Sequence, residues 1–461
     1  MKKRLLLLLI PVLVFTACSD EFTLLSPISE RNTGSFYKTQ GDFEVAIMGA
    51  YDALQSRGTF GVNYILMMEM RADNAANGGG ATGLAATLEA LDTFTEISTA
   101  SELRATWEDS YSGIARANTI LDRIEAAEFT SEDVRSRIKG EALFIRSLLY
   151  YHMAVIFGNI PYQFEEATTP NLVINQVSAS KIYDKIEEDL GVAVQLLPVS
   201  VSGANRGRAT QGAASALLGR VFLTNGKKGE AAAALRYVMD LNQYQLLDNY
   251  ADIWGEANEF NKESIFEVQF IKGGLGEGSA YVDMFTPNGL GGGVGGGIAP
   301  QDVTESILAV YEVGDERLAG TYDLSDATNP WVKKFDGIPF AAGDAGVNWM
   351  EIRYAEVLLN LAEAVGAGAE GYNLINQVRA RAGLAPISAA DGAFADQILQ
   401  ERRVEFAFEN KRWADLLRAG KAKTVMAAHL SISQDDVNLL FPIPQSQIDV
   451  APDAMTQNPE H

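Results

Sequence analysis

Cysteine is nearly absent from this chain: Cys18 is the only one in 461 residues. A single thiol excludes an internal disulfide framework and any multi-cysteine zinc or iron–sulfur site. Histidine is almost as scarce, and His152, His429 and His461 share no spacing that suits a metal. Basic charge is in deficit, with 37 Lys and Arg against 60 Asp and Glu and a formal net charge of −23. Nucleic acid and an electrostatic membrane patch both require clustered Lys or Arg, so neither is expected as a partner. The acidic balance instead favours solubility and neutral or cationic partners. No apolar run reaches the ~20 residues needed to span a bilayer. Neither a G-x-S-x-G elbow nor a Walker lysine motif occurs. Apolar content is ample: 47% of residues are hydrophobic, enough for a large core.

The chain opens with the positive segment Met1-Lys2-Lys3-Arg4, an apolar run from Leu5 to Phe15, and the small residues Thr16-Ala17. That order marks an export signal. Cys18, placed directly after it, is a free thiol, a catalytic thiol or an attachment point. The segment resembles a bacterial lipoprotein signal, although Phe15 stands where such signals usually carry Leu. The resemblance implies that residues 1–17 are removed and that Cys18 is lipidated. Each buried methylene contributes ~0.8 kcal/mol, so two or three acyl chains hold firmly where one holds weakly. Residues 19–35, "SDEFTLLSPISERNTGS", have no helical or strand period. With Cys18 they read as a tether, leaving 36–461 as one body.

Helical patterns dominate that body. Trp107, Tyr111, Ile114, Asn118 and Leu121 recur at steps of four and three, which places them on one helix face. From Leu143 to Phe157 the chain is apolar almost all round, as a helix enclosed by neighbours should be, and Gly158 and Pro161 stop it. In "SALLGRVFLTNGKKGEAAAALRYVM", Leu218, Gly219 and Phe222, then Ala231 and Leu235, follow the tetratricopeptide pattern across an Asn225-Gly226 turn. Gly219 lacks a Cβ and so lets the two helices of the hairpin approach. A second pair is expected at "EIRYAEVLLNLAEA" and "GYNLINQVRARAGL", and one long last helix from Phe394 to Gly420. Such hairpins cannot bury their faces singly and must stack. The expected fold class is therefore mostly α, built on tetratricopeptide-like helical hairpins, with long irregular loops and a few short strands.

Between about 242 and 348 the texture changes. "ESIFEVQFIK" alternates as a strand does, and the rest is rich in Gly, Pro and Asn with scattered aromatics: Tyr281, Phe285, Trp331 and Phe340. A second irregular stretch runs from Arg71 to Thr95. Long loops on a rigid frame are where binding usually happens.

Little in the chain points to catalysis. "GGGVGG" at 291–296 matches G-x-G-x-x-G, yet no strand precedes it and no helix follows, so it reads as a loop. Glu187, Glu188 and Asp189 read as a solvated face. Glu401, Glu405 and Glu409, interleaved with Arg402, Arg403 and Arg412, read as ion pairs along one helix, worth ~0.2–0.5 kcal/mol each. A glycosidase needs only two carboxylates, which folding can bring together from any distance. Binding is the better-supported expectation. A sugar ring offers an apolar C–H face to an aromatic ring and hydroxyls to Asp, Asn or Arg. The loops supply Asp73, Asn74, Tyr281 and Trp331 as candidate ligand-binding residues, though any such aromatic can equally be core.

Six segments appear in an order that resembles the SusD/RagB family of outer-membrane nutrient-binding lipoproteins: "KGEALFIRSLLYYHMAVIFGNIPY", "RATQGAASALLGRVFL", "NWMEIRYAEVLLNLAEA", "LINQVRARAGL", "ERRVEFAFENKRWADLLR" and "LFPIPQSQID" ahead of "TQNP". The resemblance implies a helical lid on a SusC-like TonB-dependent β-barrel transporter. Such a protein is anchored in the outer membrane by lipid alone and passes oligosaccharides inward without cofactor or chemistry. The early loop lacks the Trp that starch binders of the family use; Phe94 is its nearest aromatic. A peptide-binding component of the RagB kind, and a helical scaffold that binds only proteins, are the alternatives.

Overall fold

The computed structural model describes residues 36–76, 84–167, 169, 173–285, 305–325 and 331–461. Cys18, the export signal, the tether and the "GGGVGG" run lie outside the described residues.

In chain order the helices are α1 (Gln40–Gln55), α2 (Asn63–Met70), α3 (Leu84–Asp92), α4 (Ser101–Arg123) and α5 (Glu132–Phe157). After the strands β1 (Ile160–Pro161) and β2 (Gln176–Val177) come α6 (Ala179–Leu196), α7 (Gln211–Thr224) and α8 (Lys228–Asp240). The middle region holds β3 (Ser264–Val268), α9 (Tyr281–Phe285), α10 (Glu305–Leu308), α11 (Glu316–Thr321), β4 (Tyr322–Asp323), β5 (Trp331–Val332) and β6 (Trp349–Arg353). The chain finishes with α12 (Tyr354–Val365), α13 (Ala369–Arg381), α14 (Phe394–Glu405), α15 (Arg412–Arg418), α16 (Ala422–Leu430) and α17 (Gln445–Val450).

From α4 to α8 each helix packs on its successor, and α8 then packs on α12, which packs on α13. This is the expected mostly helical superhelix of stacked hairpins. Helix α5 runs through its centre, every side chain from Gly140 to Phe157 being buried. Ser131 caps its first turn and Gly158, at φ +70°, ends it. In the α7–α8 hairpin a Cβ on Gly219 would stand 2.6 Å from Leu235 Cγ, so the close approach inferred from that glycine is real. Strand β3 finds its antiparallel partner in β6, with Ser264 opposite Arg353 and Val268 opposite Trp349.

Four expectations need correction. The stretch from Arg71 to Thr95 is not irregular throughout, because α3 occupies part of it. The last long helix is two, since Phe408 and Asn410 adopt φ +64° and +57° between α14 and α15. The charges of that region do not pair along a helix either. Glu401 meets Arg317 and Arg379; Glu405 meets Arg317, Arg353 and Arg381; Glu409 meets Lys334 and Arg353. All are buried, and they tie α14 to the middle region and to α13. Burial alone would raise the Glu405 carboxyl, but Arg381, Arg353 and Arg317 outweigh it and hold the group far below its usual range. The expected solvated face fails as well: Asp189 is buried, 2.7 Å from Arg146, and Glu187 is buried, 2.5 Å from Lys227, while Glu188 alone of the three stays exposed. Spacing alone could not reveal the partners of Glu401, Glu405 and Glu409, because each comes from another element.

His152 is a core residue as expected: it is buried, with Nε2 3.2 Å from Glu351 and its ring edge-on to Phe60 and Tyr64. Desolvation lowers its pKa despite Glu351, which favours the neutral ring.

Candidate functional site

The glycine-rich stretch after β3 is shaped by three left-handed glycines, Gly273, Gly274 and Gly276, at φ +128°, +73° and +80°. They turn the chain so that the Ile271 N–H donates to the Glu277 carbonyl at 2.8 Å. A second turn at 338–345 lies against it. Phe340 N–H donates to Asp344 O at 2.8 Å, and Asp344 N–H returns to Ala341 O at 3.0 Å. Ser279 and Ala345 exchange a pair of backbone hydrogen bonds at 2.8 and 3.0 Å.

The Asp344 carboxylate locks the two turns together by accepting from Gly273 N–H at 3.1 Å and Gly274 N–H at 2.6 Å. Asp283 Oδ2, from α9 beneath, takes the Gly343 N–H. Lys272 Nζ spans from Glu256 at 2.7 Å to the Ile338 carbonyl at 3.2 Å. The backbone here is thus fixed by its own side chains although it forms almost no regular structure.

On this frame four large apolar side chains face water: Ile271, Leu275, Ile338 and Phe340. Phe340 is 67% exposed, and its ring lies beside Gly274, where an added Cβ would be 3.3 Å away. Exposed apolar side chains on two turns joined by hydrogen bonds, with Lys272 and Asp344 in the same turns, make this a candidate binding surface.

The candidate residues named from sequence fall mostly elsewhere. Asp73 is buried in an ion cluster, 2.7 Å from Arg412 Nε and 3.0 Å from Arg403 Nη2. Burial opposes its charge, yet the two guanidinium groups keep its pKa below the usual carboxylate value. Asn74 is buried too and accepts from Arg403 Nε at 2.9 Å. Tyr281 is wholly buried, its hydroxyl donating to the Phe60 carbonyl and its ring packed on Phe270, Phe335 and Trp349. These three hold the scaffold, because a side chain without solvent access cannot meet a ligand. Trp331 differs. It lies on β5 opposite Asp323 and is partly exposed. Phe94 is buried under the Arg71 guanidinium, 4.2 Å from its centroid.

Sequence reasoning therefore passed over the ring that the fold exposes. A signal was present: Phe340 sits in "DGIPFAAGDAG", a run of turn residues in which an aromatic has no periodic neighbours to bury it.

Among the described residues no cluster of three or more His, Cys, Asp or Glu is arranged to hold a metal ion. No described helix is long and apolar enough to cross a membrane.

Two family models match the chain. Residues 62–223 match one described as "Starch-binding associating with outer membrane", and residues 331–461 match one described as "SusD family". Among curated relatives, SusD-like protein P2 of Formosa agariphila is 26% identical, covering 100% of both chains. Among solved structures, surface glycan-binding protein A from Bacteroides fluxus superposes with a TM-score of 0.81 at 29% identity, over 92% of this chain and 100% of that one. A laminarin-binding SusD-like protein superposes with a TM-score of 0.79, also at 29% identity and with the same coverage.

Proposed function

The chain belongs to the SusD/RagB family, and from that premise we propose that it is a cell-surface lipoprotein that captures oligosaccharides and hands them to a SusC-like TonB-dependent transporter in the outer membrane. The observation that carries the glycan reading is Phe340, a ring two-thirds exposed on a stitched pair of turns, with polar groups at its rim. Its apolar face suits the C–H face of a sugar, while Lys272 and Asp344 lie within the same turns for hydroxyls. Trp331 is a second, weaker platform. Two solved relatives named for glycan or laminarin binding support the same class. In this reading residues 36–461 form one binding body, Cys18 carries the lipid, and no bond in the cargo is made or broken.

Weak stacking is made effective by the transporter beneath, which raises local concentration and removes bound cargo. Titration calorimetry against laminarin oligosaccharides and a peptide panel tests the reading. We expect heat from a glycan, and Phe340→Ala to weaken it by about tenfold or more, roughly 1.4 kcal/mol. Binding of peptides alone would favour the RagB-like alternative. Binding of neither would leave a protein-interaction scaffold. Cys18→Ala should move the mature protein from the detergent-rich to the aqueous phase; retention would remove the lipid anchor.

A further inference from the structure

On a different part of the body, the loop from Pro198 to Thr210 and the segment from Gln243 to Phe266 enclose an open groove of about 320 Å³. Its floor is built. Tyr244 Oη and Thr210 Oγ1 are 2.9 Å apart, and the Ala209 N–H donates to Tyr51 Oη at 2.9 Å. Gly207, at φ +85°, leaves the space that the Gln269 side chain fills. Asn261 is held through its own side chain, which accepts from Glu263 and Ser264 N–H and donates to the Ile253 and Asn258 carbonyls.

Arg206 and Lys262, two basic side chains, line the groove. In a molecule of net charge −23 most basic side chains are engaged with carboxylates, as in the network around Glu405. Arg206 and Lys262, both exposed, make no ion pair among the described residues. Arg206 is nonetheless positioned: its guanidinium lies 4.5 Å over the Phe260 ring, and Nη2 reaches the Glu259 carbonyl oxygen at 3.5 Å. Lys262 is fixed at its backbone, whose carbonyl accepts from Gln245 N–H at 3.0 Å.

The acids nearby are already occupied. Glu267 is buried and accepts from Phe260 N–H and Asn348 Nδ2, both within 2.9 Å. Glu259 takes the Asn348 N–H at 2.9 Å. Arg208 gives its charge to Glu141 and Glu44. Arg206, whose charge also acts on the Glu259 carboxylate, and Lys262 thus share the groove with an aromatic ring and a row of amides and hydroxyls. The remaining negative charge of the molecule is screened beyond ~8 Å at physiological salt.

We infer that this groove is a second carbohydrate subsite, selective for oligosaccharides bearing an anionic group, a carboxylate or a sulfate ester. The inference rests on the glycan reading above and adds a ligand class that the net charge alone argues against. Arg206 and Lys262 receive the anion by charge-assisted hydrogen bonds. Gln243, Ser200 and Tyr244 line the same groove and meet ring hydroxyls.

Calorimetry on the full folded chain tests it with three probes of matched length: neutral laminarin oligosaccharides, a uronate oligosaccharide and a sulfated one. At least one charged probe should bind, with affinity falling as salt rises. The Arg206→Gln/Lys262→Gln variant, whose unchanged melting temperature shows that it folds, should lose about tenfold or more for that probe and nothing for laminarin. Phe340→Ala should do the reverse. The uronate and sulfate arms tell the two anions apart. Charged probes that bind the double variant as well as the native chain overturn the subsite. So do charged probes that fail while laminarin binds, and then the glycan reading survives. Failure of all three probes removes both.

Discussion

Arg353 and Glu405, 52 residues apart, meet inside the protein with Nη1 2.5 Å from Oε1, and Arg353 Nη2 also donates to the Glu405 carbonyl oxygen at 2.7 Å. Both side chains are at most 2% exposed. Arg353 is the last residue of β6 and Glu405 the last of α14, so the pair fastens the middle region to the C-terminal helices. Replacing a buried ion pair by apolar groups can be neutral, but removing one partner strands a charge. Glu405→Leu, which leaves Arg317, Arg353 and Arg381 short of an acceptor, should cost about 3–5 kcal/mol in urea unfolding. A loss below 1 kcal/mol would show that the network is not structural.

Gly219 faces Leu235 across the α7–α8 hairpin. Gly219→Ala forces the helices apart or Leu235 out of its rotamer, which outweighs the gain in helix propensity. We expect a loss of about 1–3 kcal/mol and a lowered melting temperature. An unchanged or raised melting temperature would mean that the hairpin has slack.

Glu69 is buried, with one oxygen accepting the Asn410 N–H and the other without a hydrogen-bond partner among the described residues. Burial raises its pKa to about 8 against the help of Asn410, Lys334 and Lys411, so the folded protein keeps a proton that the unfolded chain releases near pH 4.5. Stability from this group is complete below that point and declines as pH rises through about 8, by about 1.4 kcal/mol per pH unit while the two states differ by one proton. Glu69→Gln, which mimics the protonated form, should match the native chain at pH 5 and exceed it at pH 8. Parallel pH profiles of the two unfolding free energies would contradict the assignment.

Asp73 and Tyr281 separate scaffold from site. Asp73→Asn leaves the Arg403 and Arg412 charges without their carboxylate and should cost about 3–5 kcal/mol. Tyr281→Phe orphans the Phe60 carbonyl and should cost about 1–3 kcal/mol. Neither should change the dissociation constant for a glycan at temperatures where the variant is folded. A tenfold loss of affinity in folded Tyr281→Phe would put that residue back at the ligand.

The helical frame was legible in the chain because its signal is local. The steps of three and four from Trp107 to Leu121, the apolar run before Gly158 and the small residue at Gly219 each state which face will be buried, whatever it is buried against. The loop residues carry no such period. Whether Tyr281 or Phe340 reaches solvent depends on Phe335, Trp349 and Asp344, which are distant or follow only through turns. Sequence order also hid the partners of the C-terminal acids, since Glu405 is answered by Arg317, Arg353 and Arg381 from three other elements.

What the order of residues settled by itself is the helical class, the hairpin stacking and the family likeness, because each rests on spacings within a few turns of chain. Tertiary structure alone decided which rings stay wet, which acids are buried in pairs and which basic side chains line one groove. Solvent exposure and ion pairing belong to elements brought together from far apart, and spacing along the chain does not encode that distance.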